Sequence, residues 1–240
     1  MTIEAARLSG GDICRVLPSA SHADYTKALI ALCVKEDIKA IFPGSEPELR
    51  RISADREEIT PYVDLLAINS DRVIDICSDK YKTNEFLEAH GFPFPRSLFL
   101  TEIDQLDRVD FFPAVIKPTV GGGSQHVYLA QDSNELYQLL SYLLSYFDHF
   151  LVQEYVGKVN QEFTVGVLLD GDGNLINSIA VNRFIMSSLS NRIKIKNKTG
   201  RDDLGDVLAI SSGISQGKIG RFPEVTSFCE KLAVEMGCRY

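Results

Sequence analysis

No apolar run in this 240-residue chain is long enough to span a bilayer, and the opening MTIEAARLSGGD lacks the apolar core of a secretory leader. A membrane span is therefore not expected, and the cytoplasm is the expected compartment. Cysteine is sparse and scattered: Cys14, Cys33, Cys77, Cys229 and Cys238 are odd in number and show no CxxC spacing, which points to free thiols in a reducing environment. No long basic run offsets the formal net charge of -8, so a general nucleic-acid binder is not expected either. No GxGxxG follows the early strands, which leaves a dinucleotide-binding oxidoreductase a weak reading. Repeats and low-complexity tracts are absent as well. What remains, 45% hydrophobic and 24% charged residues, is the composition of a soluble globular protein with room for two domains.

Short apolar strands alternate with helical patterns in the first third. Residues 13–17 read as a strand stopped by Pro18, and 21–36 as a helix with Tyr25, Ala28, Leu29, Leu32 and Cys33 at helical spacing. Strands at 39–43 and 65–68 and helices at 47–54 and 71–77 continue the alternation, which implies a parallel sheet flanked by helices. Gly44, Ser45, Glu46 and Asn69 fall at the ligand-binding end of such a sheet, although turns and helix caps explain them more simply. Residues 79–90 form a further helix, with Tyr81, Phe86, Leu87 and Ala89 facing inward, Gly91 after its cap and FPFP forbidding continuation.

From about Phe112 antiparallel patterns replace the alternation. A strand at 127–130, a helix at 133–147 opened by Ser-Asn-Glu and a strand at 150–155 lead into a hairpin, 162–169 and 175–183, closed by DGDGN. A basic strand (192–198), a loop (199–205) and a last helix (223–236) follow. The fold class is thus α/β plus α+β.

The stretch FPAVIKPTVGGGSQHV, 112–127, carries the clearest chemistry. Its strand delivers Lys117, and Gly121, Gly122, Gly123 and Ser124 form a loop whose backbone amides can converge on an anion. Together with Lys80 at the start of a helix, where the macrodipole disfavours a cation unless an anion is near, this is a phosphate-binding pattern. A glycine-rich hairpin with a surface lysine is the plainer alternative.

These segments resemble the ATP-grasp ligases, most closely the carbamoyl-phosphate-synthase-like branch. The carriers are SDKYKTNEFLEAHGFPFP, AVIKPTVGGGSQHV, VQEYV and EFTVGVLLDGDGNL, in the family's order. The resemblance implies a partial Rossmann-like pre-ATP-grasp domain (1–78) followed by an incomplete ATP-grasp domain (79–240), with a nucleotide-binding lid at about 97–155 and the rest at 156–240. It implies that Lys80 and Lys117 contact phosphates under a mobile 121–124 flap. Glu154, Tyr155 and Val156 would be the hinge reading adenine, Glu162 would take the ribose hydroxyls, and Arg183 would meet transferred phosphate or substrate in a catalytic role.

ATP and Mg2+ are the implied cofactors. The implied reaction activates a small carboxylate as an acyl phosphate for attack by an amine or ammonia, with a homodimer compatible. Bicarbonate phosphorylation, as in carbamoyl phosphate synthesis, and a non-catalytic nucleotide-binding or interaction module are the alternatives. The chain departs from the pattern in three ways. His126 stands where the family usually has glycine, which implies either a stiffer flap or a histidine that covers the nucleotide. The opening strand-helix-strand is shortened. The acidic metal-binding segments would follow residue 236, so that no metal ligand is assigned within the chain and residues 1–240 alone are expected not to turn over ATP; Asp170 and Asp172 read as turn residues.

Overall fold

The computed structural model describes residues 13–159, 161–186, 189–214 and 216–239. The opening MTIEAARLSGGD lies outside them. The chain divides into two compact units, Met1–Ile74 with Arg239–Tyr240, and Asp75–Cys238.

In the first unit a two-stranded parallel sheet, β1 (Ala40–Ile41) and β2 (Leu65–Leu66), is accompanied by helices α1 (Tyr25–Glu36) and α2 (Glu46–Ala54). Tyr25, Leu29, Cys33, Ile41, Ile52, Ile59, Ile68 and Ile74 form its core. The expected first strand at 13–17 does not form: the segment is irregular, with Ile13 and Val16 exposed, and among the described residues the two short strands pair only with each other. Ser45 proves to be the N-cap of α2, accepting the Glu48 amide, and the Asn69 side chain accepts the Arg239 amide, so both have structural duties. Helix α3 (Asp71–Ser78) carries the chain onward.

The second unit opens with α4 (Lys80–Ala89), capped by Asp79, whose carboxylate accepts the Tyr81 amide at 2.8 Å. Phe86 is its buried residue, whereas Tyr81, expected inside, is exposed and its ring lies tilted against that of Phe99 with centroids 5.0 Å apart. A four-stranded antiparallel sheet follows, in the order β3 (Ser97–Leu100), β6 (Phe150–Glu154), β4 (Ala114–Lys117), β5 (Tyr128–Ala130). Helix α5 (Ser133–Leu143) presses Leu136, Leu140 and Leu143 onto Ala114, Ile116, Phe150 and Val152. Its cap is Asp132, one residue before the expected Ser133. Asp132 accepts the Glu135 amide while Glu135 accepts the Gln131 amide, so the acidic cap and its partner three residues on satisfy the open helix end. The helix also stops at Leu143 instead of 147, and the Phe147 ring instead packs against Phe150.

The remaining strands make two further antiparallel sheets. In the first, β11 (Gly217–Gly220), β8 (Leu175–Arg183) and β7 (Phe163–Leu169) lie in that order, with α6 (Pro223–Met236) against β7 and β8. The turn between β7 and β8 is closed by Asp170, which accepts the amides of Asp172 and Asn174; these bonds, the Asn174 side chain foremost, hold its carboxyl below the usual range. Asp170 is thus a turn residue, as its sequence context indicates. In the second, β9 (Asn191–Lys196) pairs with β10 (Val207–Ser211), and Ile193, Ile195, Leu208 and Ile210 pack with Leu129, Tyr155 and Leu204. Arg192, Lys194 and Lys196 alternate along the exposed side of β9, and none forms an ion pair among the described residues. No helix among the described residues is long and apolar enough to cross a membrane.

Candidate functional site

A cleft of about 580 Å³ lies within the Asp75–Cys238 unit. Its size falls in the range of small-molecule sites, about 300–1,000 Å³. Ten residues singled out from the sequence line it: Lys80, Lys117, Gly121, Gly122, Gly123, Ser124, Glu154, Tyr155, Val156 and Glu162. Arg183 is not on its wall.

Backbone pairing explains the grouping at the cationic end. The Lys80 amide donates to Thr119 O at 2.8 Å, and Asp79 bridges Val120, so the N-terminus of α4 is fastened to the entrance of the glycine loop. The Lys80 ammonium donates to Gly121 O at 2.8 Å and Thr119 O at 3.3 Å. Lys117, at the end of β4, donates to Gln153 Oε1 at 2.6 Å on the neighbouring strand, and Gln153 in turn donates to Ser97 Oγ. Burial, with the nearby Lys80 charge adding to it, pushes the Lys117 ammonium down from 10.5 to about 8. With the Lys80 charge close to the buried Lys117 ammonium, an anion held there would relieve both desolvation and repulsion.

The loop between β4 and β5 is unusual in backbone. Gly121 (φ 132°) and Gly123 (φ 62°) take conformations open to glycine, but so do Ser124 (φ 56°) and His126 (φ 55°). His126 therefore holds the left-handed geometry that explains a glycine at that position in the family pattern, and its ring lies 4.9 Å from that of Phe147. At the far side the amides of Glu154 and Tyr155 are engaged by Arg96 O and Pro113 O, whereas Val156 has no hydrogen-bond partner among the described residues. Of residues 154–156, only Val156 thus has an amide without a partner among the described residues. The Tyr155 hydroxyl fastens β10 to this segment, donating to Ala209 O and accepting the Ala209 amide, each at 3.2 Å.

Glu162 meets the Arg183 guanidinium, and the Arg183 amide donates to Glu162 O at 2.8 Å. Arg183, expected to meet transferred phosphate or substrate, is buried against Glu162, its other nitrogen donating to Ser212 O and Ile214 O at 2.8 Å each. Missing from the sequence reading are the apolar walls: Val115, Ile185, Ala209 and Ile210. Val115 stands two residues before Lys117 and so shares its face of β4, a relation that period two makes readable. Ile210 sits on β10, a strand the sequence reading did not identify. The cleft therefore brings together two cations, a glycine-rich loop, apolar wall residues and two carboxylates, a lining suited to an anionic ligand with a flat apolar part.

A family model described as an ATP-grasp domain matches residues 77–202. Among curated proteins, the carbamoyl-phosphate synthase of Methanobrevibacter smithii is 26% identical over 129 residues, 52% of this chain and 34% of that protein. The D-alanine--D-alanine ligase A of Bacillus cereus is 30% identical over 98 residues, 39% of this chain and 32% of that protein. Each of these matches covers about a third of the relative's own length. Among solved structures, the biotin carboxylase-beta-gamma-ATP complex from Campylobacter jejuni shares the fold, with a TM-score of 0.61 at 15% identity, over 91% of this chain and 48% of that one.

Proposed function

Because the chain belongs to the ATP-grasp family, we propose that its Asp75–Cys238 unit binds ATP in the cleft and serves an ATP-dependent ligase. That enzyme would activate a carboxylate as an acyl phosphate for attack by an amine or ammonia. The observation that carries the reading is the convergence of Lys80, Lys117, the glycine loop, the 154–156 segment and Glu162 on one cleft. In this reading the phosphates lie between the two ammonium groups under the loop amides, where charge on the transferring phosphoryl group would be stabilised. Val115, Ile185 and Ile210 would sandwich the adenine, with the Val156 amide directed at its edge. Glu162 would accept the ribose hydroxyls; a carboxylate has acceptor capacity left after bonding one guanidinium nitrogen.

Magnesium does not fit the described residues in the same way. The carboxylates on the cleft wall are Glu154 and Glu162, the second is engaged by Arg183, and no group of three or more His, Cys, Asp or Glu able to hold a metal occurs among the described residues.

Calorimetric titration of ATP into the chain should show a single saturable site, weakened by Glu162→Gln about tenfold, the effect of one charge-assisted hydrogen bond. If millimolar ATP produced neither heat nor a rise in melting temperature, the nucleotide reading would be wrong.

A further inference from the structure

Arg183 is 8% exposed, and its guanidinium reaches two separate parts of the site. One nitrogen holds Glu162, and another donates to the carbonyls of Ser212 and Ile214, 2.8 Å each. The segment so gripped, between β10 and β11, is further braced by Ser212, whose hydroxyl donates to Leu189 O and accepts the Ile214 amide. At its tip is Gly213, and a methyl group there would stand 3.2 Å from Gly123 Cα, closer than ordinary van der Waals contact. The glycine loop thus rests directly on the backbone that Arg183 holds.

We infer that Arg183 is a positioning residue that supports ribose recognition and closure of the glycine loop at once: one guanidinium orients Glu162 and fixes the Gly213 seat on which Gly123 lands. The inference rests on the nucleotide reading above and extends it from a set of contacts to a linkage between Glu162 and the glycine loop. Arginine suits the task because its planar fork serves several acceptors in fixed directions, whereas lysine presents a single movable point charge. Burial makes the task selective, since loss of the cation leaves a carboxylate and two carbonyls without their donor. Gly213 supplies the complementary half: lacking a Cβ, it lets a second backbone approach that any side chain would hold away.

The experiment compares the unmodified chain with R183K, R183Q and G213A. Affinities for ATP and for 2′,3′-dideoxy-ATP are measured by calorimetry, and hydrogen exchange is followed at residues 121–126 without nucleotide. The unmodified chain should prefer ATP by about tenfold, one charge-assisted hydrogen bond. R183Q should reduce that preference to about twofold or less and speed exchange in the loop, with R183K between the two. G213A should keep the preference for ATP yet speed exchange, because it damages the seat and not Glu162.

A preference unchanged in both Arg183 variants, or loop exchange unchanged in both, would overturn the inference. Should R183Q fail to fold, as judged by loss of its cooperative melting transition, R183K decides by the same two readouts. Failure of the unmodified chain to bind ATP would sink the nucleotide reading and the ribose half of the inference, while loop exchange in the ligand-free variants would still decide the seat.

Discussion

ATP affinity should fall about tenfold between about pH 7 and pH 9, because Lys117, with its pKa at about 8, passes from mostly charged to mostly neutral over that interval. Bound phosphate would favour the ammonium and raise its pKa, so binding takes up a proton on the alkaline side; the apparent affinity then declines as the free amine loses its charge. Lys117→Met should bind about ten- to a hundredfold more weakly at neutral pH and respond far less to alkalinity. The measurement is a calorimetric pH series on both proteins, repeated in buffers of different ionisation heat to count the proton. A wild-type profile that stays flat from about pH 7 to pH 9 would remove Lys117 from the phosphate site.

The same shift has a consequence for the protein without ligand. In the unfolded chain the amine keeps its proton up to 10.5, whereas in the folded chain it releases it near 8. Between those values the unfolded state binds more protons, so stability rises with pH across that window. Below it the desolvated ammonium costs on the order of 3 kcal/mol, the free-energy equivalent of the shift. Lys117 is therefore held at some expense to the fold, which is the sign expected of a residue kept for an anion and opposite to that of a structural ion pair.

Replacing Gly217 by alanine should lower the stability of the second unit by about 3 kcal/mol, a severe case of overpacking, and its melting temperature by about 6–12 °C. Gly217 lies opposite Arg183 at the β11–β8 pairing, and an added methyl would stand 1.9 Å from Asn182 O and 2.9 Å from Val181 Cγ1. Those neighbours include backbone in a central strand, so β11 must lift away and lose its ladder. Gly220→Ala, whose nearest neighbour would be the Phe222 ring at 3.7 Å, is the control and should melt within about a degree of wild type. Equal melting of the two variants in thermal denaturation would contradict the β11–β8 register.

Several features of this architecture could be read from the chain because they are local. The β7–β8 hairpin follows from DGDGN between alternating strands, the last helix from its own periodicity, and the glycine loop from composition. Strand β10 was not legible because VLAIS gains its burial from Tyr155 and Leu129 on distant elements, and nothing beside it in sequence signals that cover. The pairing of Arg183 with Glu162 was hidden for a subtler reason. Counting back along the hairpin from Leu169 opposite Leu175 would set Asn182 opposite Glu162; the bulge after Leu168 shifts the register by one, and Phe163 instead faces Asn182, leaving Glu162 to Arg183. A single irregular residue in the ladder therefore chose which side chain stands behind Glu162.

The row Arg192, Lys194 and Lys196 bears on how quickly a ligand arrives. Lys194 is paired across the ladder with Ala209 on the cleft wall, so this cationic edge adjoins the cleft in a chain whose net charge is -8. Neighbouring unpaired cations create a local attractive field for an anion even when the far field is repulsive. Such a field accelerates encounter and does little once the ligand is seated. Stopped-flow association of ATP should accordingly slow as salt is raised and slow at low salt, by about two- to fivefold, when all three cations are replaced by glutamine, while the dissociation rate stays put. Equal association rates for the two proteins at low salt would show that the β9 edge takes no part in capture.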